Sequence, residues 1–223
     1  MVPGQEYDLK VTKFLALNIS VSQDGFMAGP NQSLDAPFGE NARQLLDWAV
    51  ATKAVREWAG LSGGTTGFND DSWRRIFSVG ANIMGRNMFG PIRGPWPNED
   101  WKGWWGPDPG YKTPVFVLTH YARKPIDMGN GTIFIFVTGG IQQAYEMALE
   151  AANGKDVGVL GGVQTIQQFL ERELLDELQI AEVPIELKTG ELLLTKPEVQ
   201  LKNYQALEPI ISESIIHRRY IRL

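Results

Sequence analysis

The chain has 223 residues, 43% of them hydrophobic, and a formal net charge of −5. That is long enough to bury a substantial core in one large domain or two small ones, and the acidic balance excludes broad nucleic-acid binding and attachment to an anionic membrane surface. Cysteine is absent, which removes disulfides, thiol nucleophiles and cysteine-ligated zinc and fits a reducing, cytoplasmic setting.

The start, Met1 to Asp8, shows no basic stretch followed by an apolar core, so no signal peptide is expected. No apolar run approaches the roughly 20 residues of a membrane span. Val11 to Val21, rich in Leu, Val and Ile, reads as a first strand. Residues 22 to 39 read as a loop marked by Asp24-Gly25, Gly29-Pro30 and Pro37. Glu40 to Trp58 carries Leu45, Trp48, Ala49, Thr52 and Val55 at three- and four-residue spacing, which predicts an amphipathic helix. After a glycine-marked break over Leu61 to Asn69, a short helix (Asp70 to Phe77) leads into a strand (Ala81 to Met84). Val115 to Thr119 and Ile133 to Val137 are short apolar runs of the kind found in central strands of a parallel sheet. Ile141 to Ala152 predicts a helix, Val157 to Leu160 a buried strand, Val163 to Glu173 a helix and Leu178 to Val183 a strand. The pattern then changes to consecutive strands at Glu191 to Thr195, Val199 to Gln205 and Ser214 to Arg222. A βα-rich body that ends in antiparallel strands predicts an α/β fold with a mixed, mainly parallel sheet. No linker divides it, so residues 1–223 are expected to form one domain.

The most telling segment is Leu160-Gly-Gly-Val-Gln-Thr165. A strand that stops at paired glycines and opens a helix leaves N–H groups at a positive dipole end, which suits a phosphate or diphosphate. Without a Cβ, the ligand can lie against the main chain. Tight packing alone is the other reading of such a turn. Thr138-Gly139-Gly140-Ile141-Gln142-Gln143 looks alike, but Thr138 is a good N-cap and one cleft rarely needs two such turns. The expectation is that Gly161 and Gly162 meet a diphosphate and that Gly139 and Gly140 do not.

Several chemistries are missing. There is no G-x-x-x-x-G-K-[ST] loop, no G-x-S-x-G elbow and no G-x-G-x-x-G fingerprint. Only two histidines are present, at distant strand ends, so no histidine-built metal site is expected. His217 alternates with apolar residues in a terminal strand and reads as structural. His120 ends a central strand, where ligands of open α/β sheets sit, and reads equally as a ligand contact or not.

Taken in order, the motifs resemble the dihydrofolate reductase-like superfamily, in the branch of the C-terminal reductase domain of bifunctional riboflavin deaminase-reductases. Asn18-Ile-Ser-Val-Ser-Gln-Asp-Gly-Phe-Met-Ala-Gly29 looks like the opening strand and loop of that family. Met84-Gly-Arg-Asn-Met-Phe89 is similar to its strand-to-helix turn, where glycine and arginine meet the cofactor phosphates. Val117-Leu-Thr-His-Tyr-Ala-Arg123 matches the strand end around the adenosine 2′-phosphate. Leu160 to Thr165 corresponds to the second pyrophosphate turn, and Leu175-Asp-Glu-Leu178 to the strand that follows. The resemblance spans residues 11 to 222. It implies a three-layer fold, an NADPH-dependent reductase that often forms homodimers, and cofactor contacts at Asn18, Gly85, Arg86, Asn87, Thr119, His120, Arg123, Gly161, Gly162, Val163, Gln164 and Thr165.

The chemistry of these side chains fits. Arg86 and Arg123 put two fixed cations near a 2′-phosphate, whose oxygens match the guanidinium fork, and no acidic ribose partner of the NAD type is evident. On the substrate side Asn18 and Ser20 line the pocket. Asp24 either hydrogen-bonds a substrate ring or organises its loop. Asp35, Glu40 and Asp47 have simple surface or helix-start readings, and Asp47 is a weak candidate for the carboxylate that folate-reducing relatives use. Between Gly90 and Pro114, Trp96, Trp101, Trp104 and Trp105 crowd into a proline- and glycine-rich connection. Such a length without helix or strand reads as a lid or binding element, with Trp101 against a flat heterocycle, or as a self-packed or dimer-covering loop. The altered segment Val183-Pro-Ile-Glu-Leu-Lys-Thr-Gly190 puts the riboflavin-pathway substrate itself in question, and the chain carries no deaminase signature. The expected activity is hydride transfer to a pterin, folate, flavin precursor or carbonyl compound, with no catalytic side chain assigned. The alternative is a non-catalytic nucleotide- or pterin-binding protein that kept the cleft.

Overall fold

The computed structural model describes residues 11–223; the Met1 to Asp8 segment read above lies outside them. A sheet forms around β1 (Phe14–Ser22), which lies between β7 (Val157–Gly161) and β8 (Glu177–Val183). Beyond β7 follow β3 (Ala81–Gly85), β4 (Pro114–Leu118) and β6 (Ile133–Val137), all parallel. The short β5 (Ile126–Asp127) closes that edge antiparallel. At the other edge β12 (Ile215–Arg222) pairs antiparallel with β8, and carries β10 (Tyr204–Ala206) and β11 (Ile210–Ser212). The mixed, mainly parallel α/β sheet expected from the sequence is therefore present.

Two helical layers cover it. Phe14 and Ala16 of β1 share a cluster with Ile141, Ala144 and Ala148 of α5 (Gly140–Ala151) and with Ile166 and Phe169 of α6 (Val163–Glu171). Leu15 and Leu17 point the other way, to Ile76 of α3 (Phe68–Phe77). This alternation is what a central strand buried on both faces requires. It slips once: the pairing of β1 with β8 shifts register between Ala16 and Ile19, and Asn18 sits at φ 57°. After that bulge Ile19 and Val21 face the α5–α6 side in place of even-numbered residues.

Several expected elements differ. The helix over Glu40 to Trp58 is broken into a 3-10 turn (Arg43–Leu46), α1 (Asp47–Ala51) and α2 (Lys53–Trp58). The break is at Thr52, whose φ and ψ are −73° and 150°. There the loop after α2 returns: Thr65 N–H donates to Ala51 C=O (2.8 Å) and Lys53 N–H to Thr65 C=O (2.9 Å). The strand expected at Val199 to Gln205 begins as a helical turn, α7 (Pro197–Gln200), with proline at a position where its missing N–H costs nothing. Glu191 to Thr195 supplies only β9 (Glu191–Leu192), which pairs with β2 (Phe26–Ala28) in a ribbon off the main sheet. Among the described residues no helix is long and apolar enough to cross a membrane.

Candidate functional site

The C-terminal ends of β1, β7, β3, β4 and β6 open into one cavity of about 740 Å³, roofed by α1–α3 and the tryptophan-rich connection. This is where open α/β sheets hold ligands, and the size is that of a small-molecule site. Its lining includes Asn18, Ser20, Gly85, Arg86, Asn87, Thr119, His120, Gly161, Gly162, Val163, Gln164 and Thr165. These are the residues expected to meet cofactor or substrate, with three exceptions discussed below.

Gly85 ends β3 at the start of the short α4 (Arg86–Phe89), and its lack of a side chain is required: a Cβ there would stand 2.7 Å from the Thr165 hydroxyl. That contact brings the β3 and β7 turns together. Gly161 adopts φ 123°, open to glycine alone, whereas Gly162 has an ordinary φ of −73°. A Cβ on Gly162 would meet no protein atom within 4 Å. No side chain caps the N-terminus of α6, so its first turn faces the cavity with a positive dipole end.

Arg86 is the principal cation here. Its guanidinium lies 3.4 Å from the centre of the Trp96 ring, and Nη1 donates to the Thr119 hydroxyl at 3.4 Å. Nε and Nη2 are buried without a hydrogen-bond partner. Burial, and then the neighbouring Arg123 charge, push the Arg86 pKa below its ordinary value. Buried donors of this kind are uncommon in proteins, and those of Arg86 stand on the cavity. Arg56 and Arg93 also line the cavity, against a single carboxylate, Glu191, among the described residues. A chain with a net charge of −5 thus turns a positive face inward.

Arg123 corrects the expectation of two arginines around one phosphate. Its side chain is fully buried, and Nη2 donates to the carbonyls of Glu99 (2.8 Å) and Trp101 (2.5 Å). It does not line the cavity; it clamps the loop that carries Trp96. Trp101 is likewise displaced. Its ring packs edge-on against Phe89 and closes over Gly90, outside the lining. Asp24 accepts from the N–H groups of Leu187 (3.1 Å) and Lys188 (2.6 Å), so it organises the loop and stands outside the cavity. Asp47, Asp35 and Glu40 are also absent from the lining.

The aromatic wall combines Trp104 and Trp105 of the expected connection with residues from elsewhere in the chain. Trp104 and Trp105 both donate through Nε1 to the Met88 carbonyl, at 2.8 and 3.0 Å, which folds the connection over the cavity. Trp58, Trp73, Phe77 and Tyr111 complete this wall. No spacing signal marks them, because they converge from α2, α3 and a loop. The connection is therefore self-packed and lines the site at once. The second glycine turn is capped differently from expectation. Gly139, not Thr138, is the N-cap of α5, and Thr138 and Gly140 line the same cavity as Gly161 and Gly162. Parallel strands bring both turns to one end of the sheet, so both border one cleft.

A family model for the RibD C-terminal domain matches residues 13–207. The chain belongs to that family. It is a family of reductases, and the present chain has its fold. Among solved structures, a riboflavin-biosynthesis protein from Shewanella sp. PV-4 is 21% identical and superposes with a TM-score of 0.58, covering 96% of this chain and 99% of that one. A pyrimidine reductase-like protein from Corynebacterium diphtheriae is 14% identical, with a TM-score of 0.52 and coverage of 96% and 93%. RibD from Acinetobacter baumannii is 15% identical, with a TM-score of 0.57 over 95% of this chain but only 58% of its own. At these identities the likeness concerns the fold. No curated protein sequence matches the chain significantly.

Proposed function

We propose that this chain is an NADPH-dependent reductase that transfers hydride to a flat heterocyclic or carbonyl substrate, working as a single domain and assembling as a homodimer. The observation that carries the reading is Arg86, a half-buried guanidinium with two unpartnered donor groups, set on the same cavity as the Gly161-Gly162 turn. The fit to the cofactor is good in this chain's own terms. Arg86 would hold the 2′-phosphate with two charged hydrogen bonds, and Thr119 and His120 would add further hydrogen bonds. The space above Gly162 and the α6 N-terminus would take the diphosphate. The positive lining disfavours a cofactor that needs a carboxylate at its ribose.

NADPH, when bound, supplies the hydride from its nicotinamide ring. The protein contributes position and exclusion of water. Trp73, Trp104 and Trp105 offer flat apolar faces to a conjugated ring. His217 is sealed in the interior and His120, two residues past β4, is assigned to the phosphate end of the cofactor, so the proton would reach the product from water. Initial rates with NADPH and NADH against pterins, folates, flavin precursors and quinones test the reading. Oxidation of NADPH in preference to NADH is expected. Tight cofactor binding with no turnover on any of them would instead make the chain a binding protein.

A further inference from the structure

Beneath the cavity, α3 carries Asn69 and Ser72 one turn apart against the sheet, where β8 places Gln179 and β12 places His217. All four are buried, His217 fully and the others with at most 7% of their surface exposed. They form a continuous hydrogen-bonded chain. His217 Nε2 lies 2.7 Å from Asn69 Oδ1, and Nδ1 lies 3.0 Å from Gln179 Nε2. Gln179 Nε2 also donates to the Ser72 hydroxyl (2.9 Å), which donates to Asn18 Oδ1 (2.5 Å). Asn18, 5% exposed, lines the cavity, and its Nδ2 has no partner.

The direction of this chain follows from donor and acceptor inventory. Burial draws the His217 pKa down to about 4, so the ring is neutral and has a single N–H. Asn69 Oδ1 takes that proton, which leaves Nδ1 able only to accept. Gln179 must then present its NH₂ to both His217 and Ser72. With its oxygen receiving from Gln179, Ser72 spends its own proton on Asn18 Oδ1, 2.5 Å away, in preference to Gln179 Oε1 at 3.2 Å. The Asn18 amide is thereby fixed with its oxygen inward. The backbone supports the same end: the register slip at Asn18, held at φ 57°, re-aims this side chain from the run of the strand.

We infer that Asn69, His217, Gln179 and Ser72 form a positioning relay that holds the Asn18 NH₂ towards the cavity, where it donates to a carbonyl oxygen at the reacting end of the ligands. Asn18 stands on β1 between the Gly161 turn and the Trp73 wall, so the oxygen belongs either to the nicotinamide carboxamide or to a carbonyl substrate. The inference rests on the reductase reading for the identity of those ligands, not for the direction of the amide.

The test uses the full chain, the variants Asn18→Asp, Ser72→Ala and their combination, and three probes read by tryptophan quenching: NADP⁺, 2′-phospho-ADP-ribose and menadione. Asp keeps the oxygen that Ser72 bonds and tolerates the left-handed backbone, but lacks the donor. Asn18→Asp should weaken NADP⁺ or menadione about three- to tenfold, as for one hydrogen bond, and leave 2′-phospho-ADP-ribose within about twofold. Loss on NADP⁺ assigns the oxygen to the carboxamide, and loss on menadione to the substrate. Ser72→Ala should reproduce part of that loss and add nothing in the Asn18→Asp background, because it acts only through Asn18. Unchanged binding of both NADP⁺ and menadione, or equal losses on all three probes, would overturn the relay, as would independent losses that simply add. A parent protein that fails to bind 2′-phospho-ADP-ribose contradicts the cofactor reading separately, and the menadione arm still decides the role of Asn18. Melting curves of each variant show whether the fold persists.

Discussion

Replacing Arg86 with methionine separates binding from stability, because the guanidinium is poorly satisfied in the unliganded protein. Methionine keeps an apolar stem against the Trp96 ring and removes the charge. In the free protein the change loses the cation–π contact with Trp96, on the order of 0.5–1 kcal/mol, a more distant one with Tyr121 and the long Nη1 hydrogen bond to Thr119. Against that, it removes two buried donor groups that have no partner and relieves repulsion from Arg123. These effects oppose each other, so stability should change by about 1 kcal/mol or less, a melting shift of no more than roughly 4 °C for a chain of this size. Binding should respond quite differently. Losing charged hydrogen bonds to a 2′-phosphate costs on the order of 1.5–3 kcal/mol, or roughly 10- to 150-fold in affinity. NADH lacks that phosphate and should be nearly indifferent. Calorimetric titration of NADPH and NADH into parent and variant, with melting curves alongside, measures all four quantities. Equal affinity for the two cofactors in the parent protein would refute the assignment of Arg86, as would an equal loss of both in the variant.

Gly162→Ala should leave the melting temperature nearly unchanged, since φ is −73° and no protein atom occupies the Cβ site, yet it should weaken NADPH in a titration. Gly140→Ala should do the reverse in a thermal scan, losing on the order of 1–2 kcal/mol because its φ is 81°. NADPH at a hundredfold excess over its dissociation constant should raise stability by about 2.7 kcal/mol and the melting temperature by roughly 5–11 °C, whereas no shift would argue against a cofactor site. Burial holds the folded-state pKa of His217 at about 4, below its ordinary 6.5. The unfolded chain therefore takes up that proton first. Stability from this residue is fully present above pH 6.5 and is lost as the pH falls towards 4, by on the order of 3 kcal/mol. Urea melts at pH 7 and 4.5 should show a smaller acid loss in His217→Gln than in the parent, and equal losses would count against a neutral buried imidazole.

The sheet was legible because its strands are short apolar runs bounded by glycine, and the turns at Gly85 and Gly161 were legible because a strand, a glycine and a helix occur there in immediate succession. What escaped depends on partners distant in sequence. Glu40 to Trp58 has the periodicity of one helix, but the return of Thr65 to Ala51 and Lys53 takes over the backbone hydrogen bonds at Thr52. Pro197 carries a local signal for a helix start, which competes with the strand-like apolar residues after it. Within the site, Arg86 and Arg123 look equivalent as residues that follow strands. Only the fold of the connection decides that Arg123 turns to the carbonyls of Glu99 and Trp101 while Arg86 stands on the cavity. The same folding exchanges Trp101 for Trp104 and Trp105 as the wall of the cavity. Asp24 spends its carboxylate on Leu187 and Lys188, whose N–H groups lie more than 160 residues away in sequence.

A crystal structure of the protein with NADP⁺ tests the central claim most directly. The account predicts the 2′-phosphate within hydrogen-bond distance of Arg86 Nε or Nη2, the diphosphate against Gly161, Gly162 and Val163, and the nicotinamide beside Asn18. A cofactor bound away from Arg86 and the Gly161-Gly162 turn would contradict it.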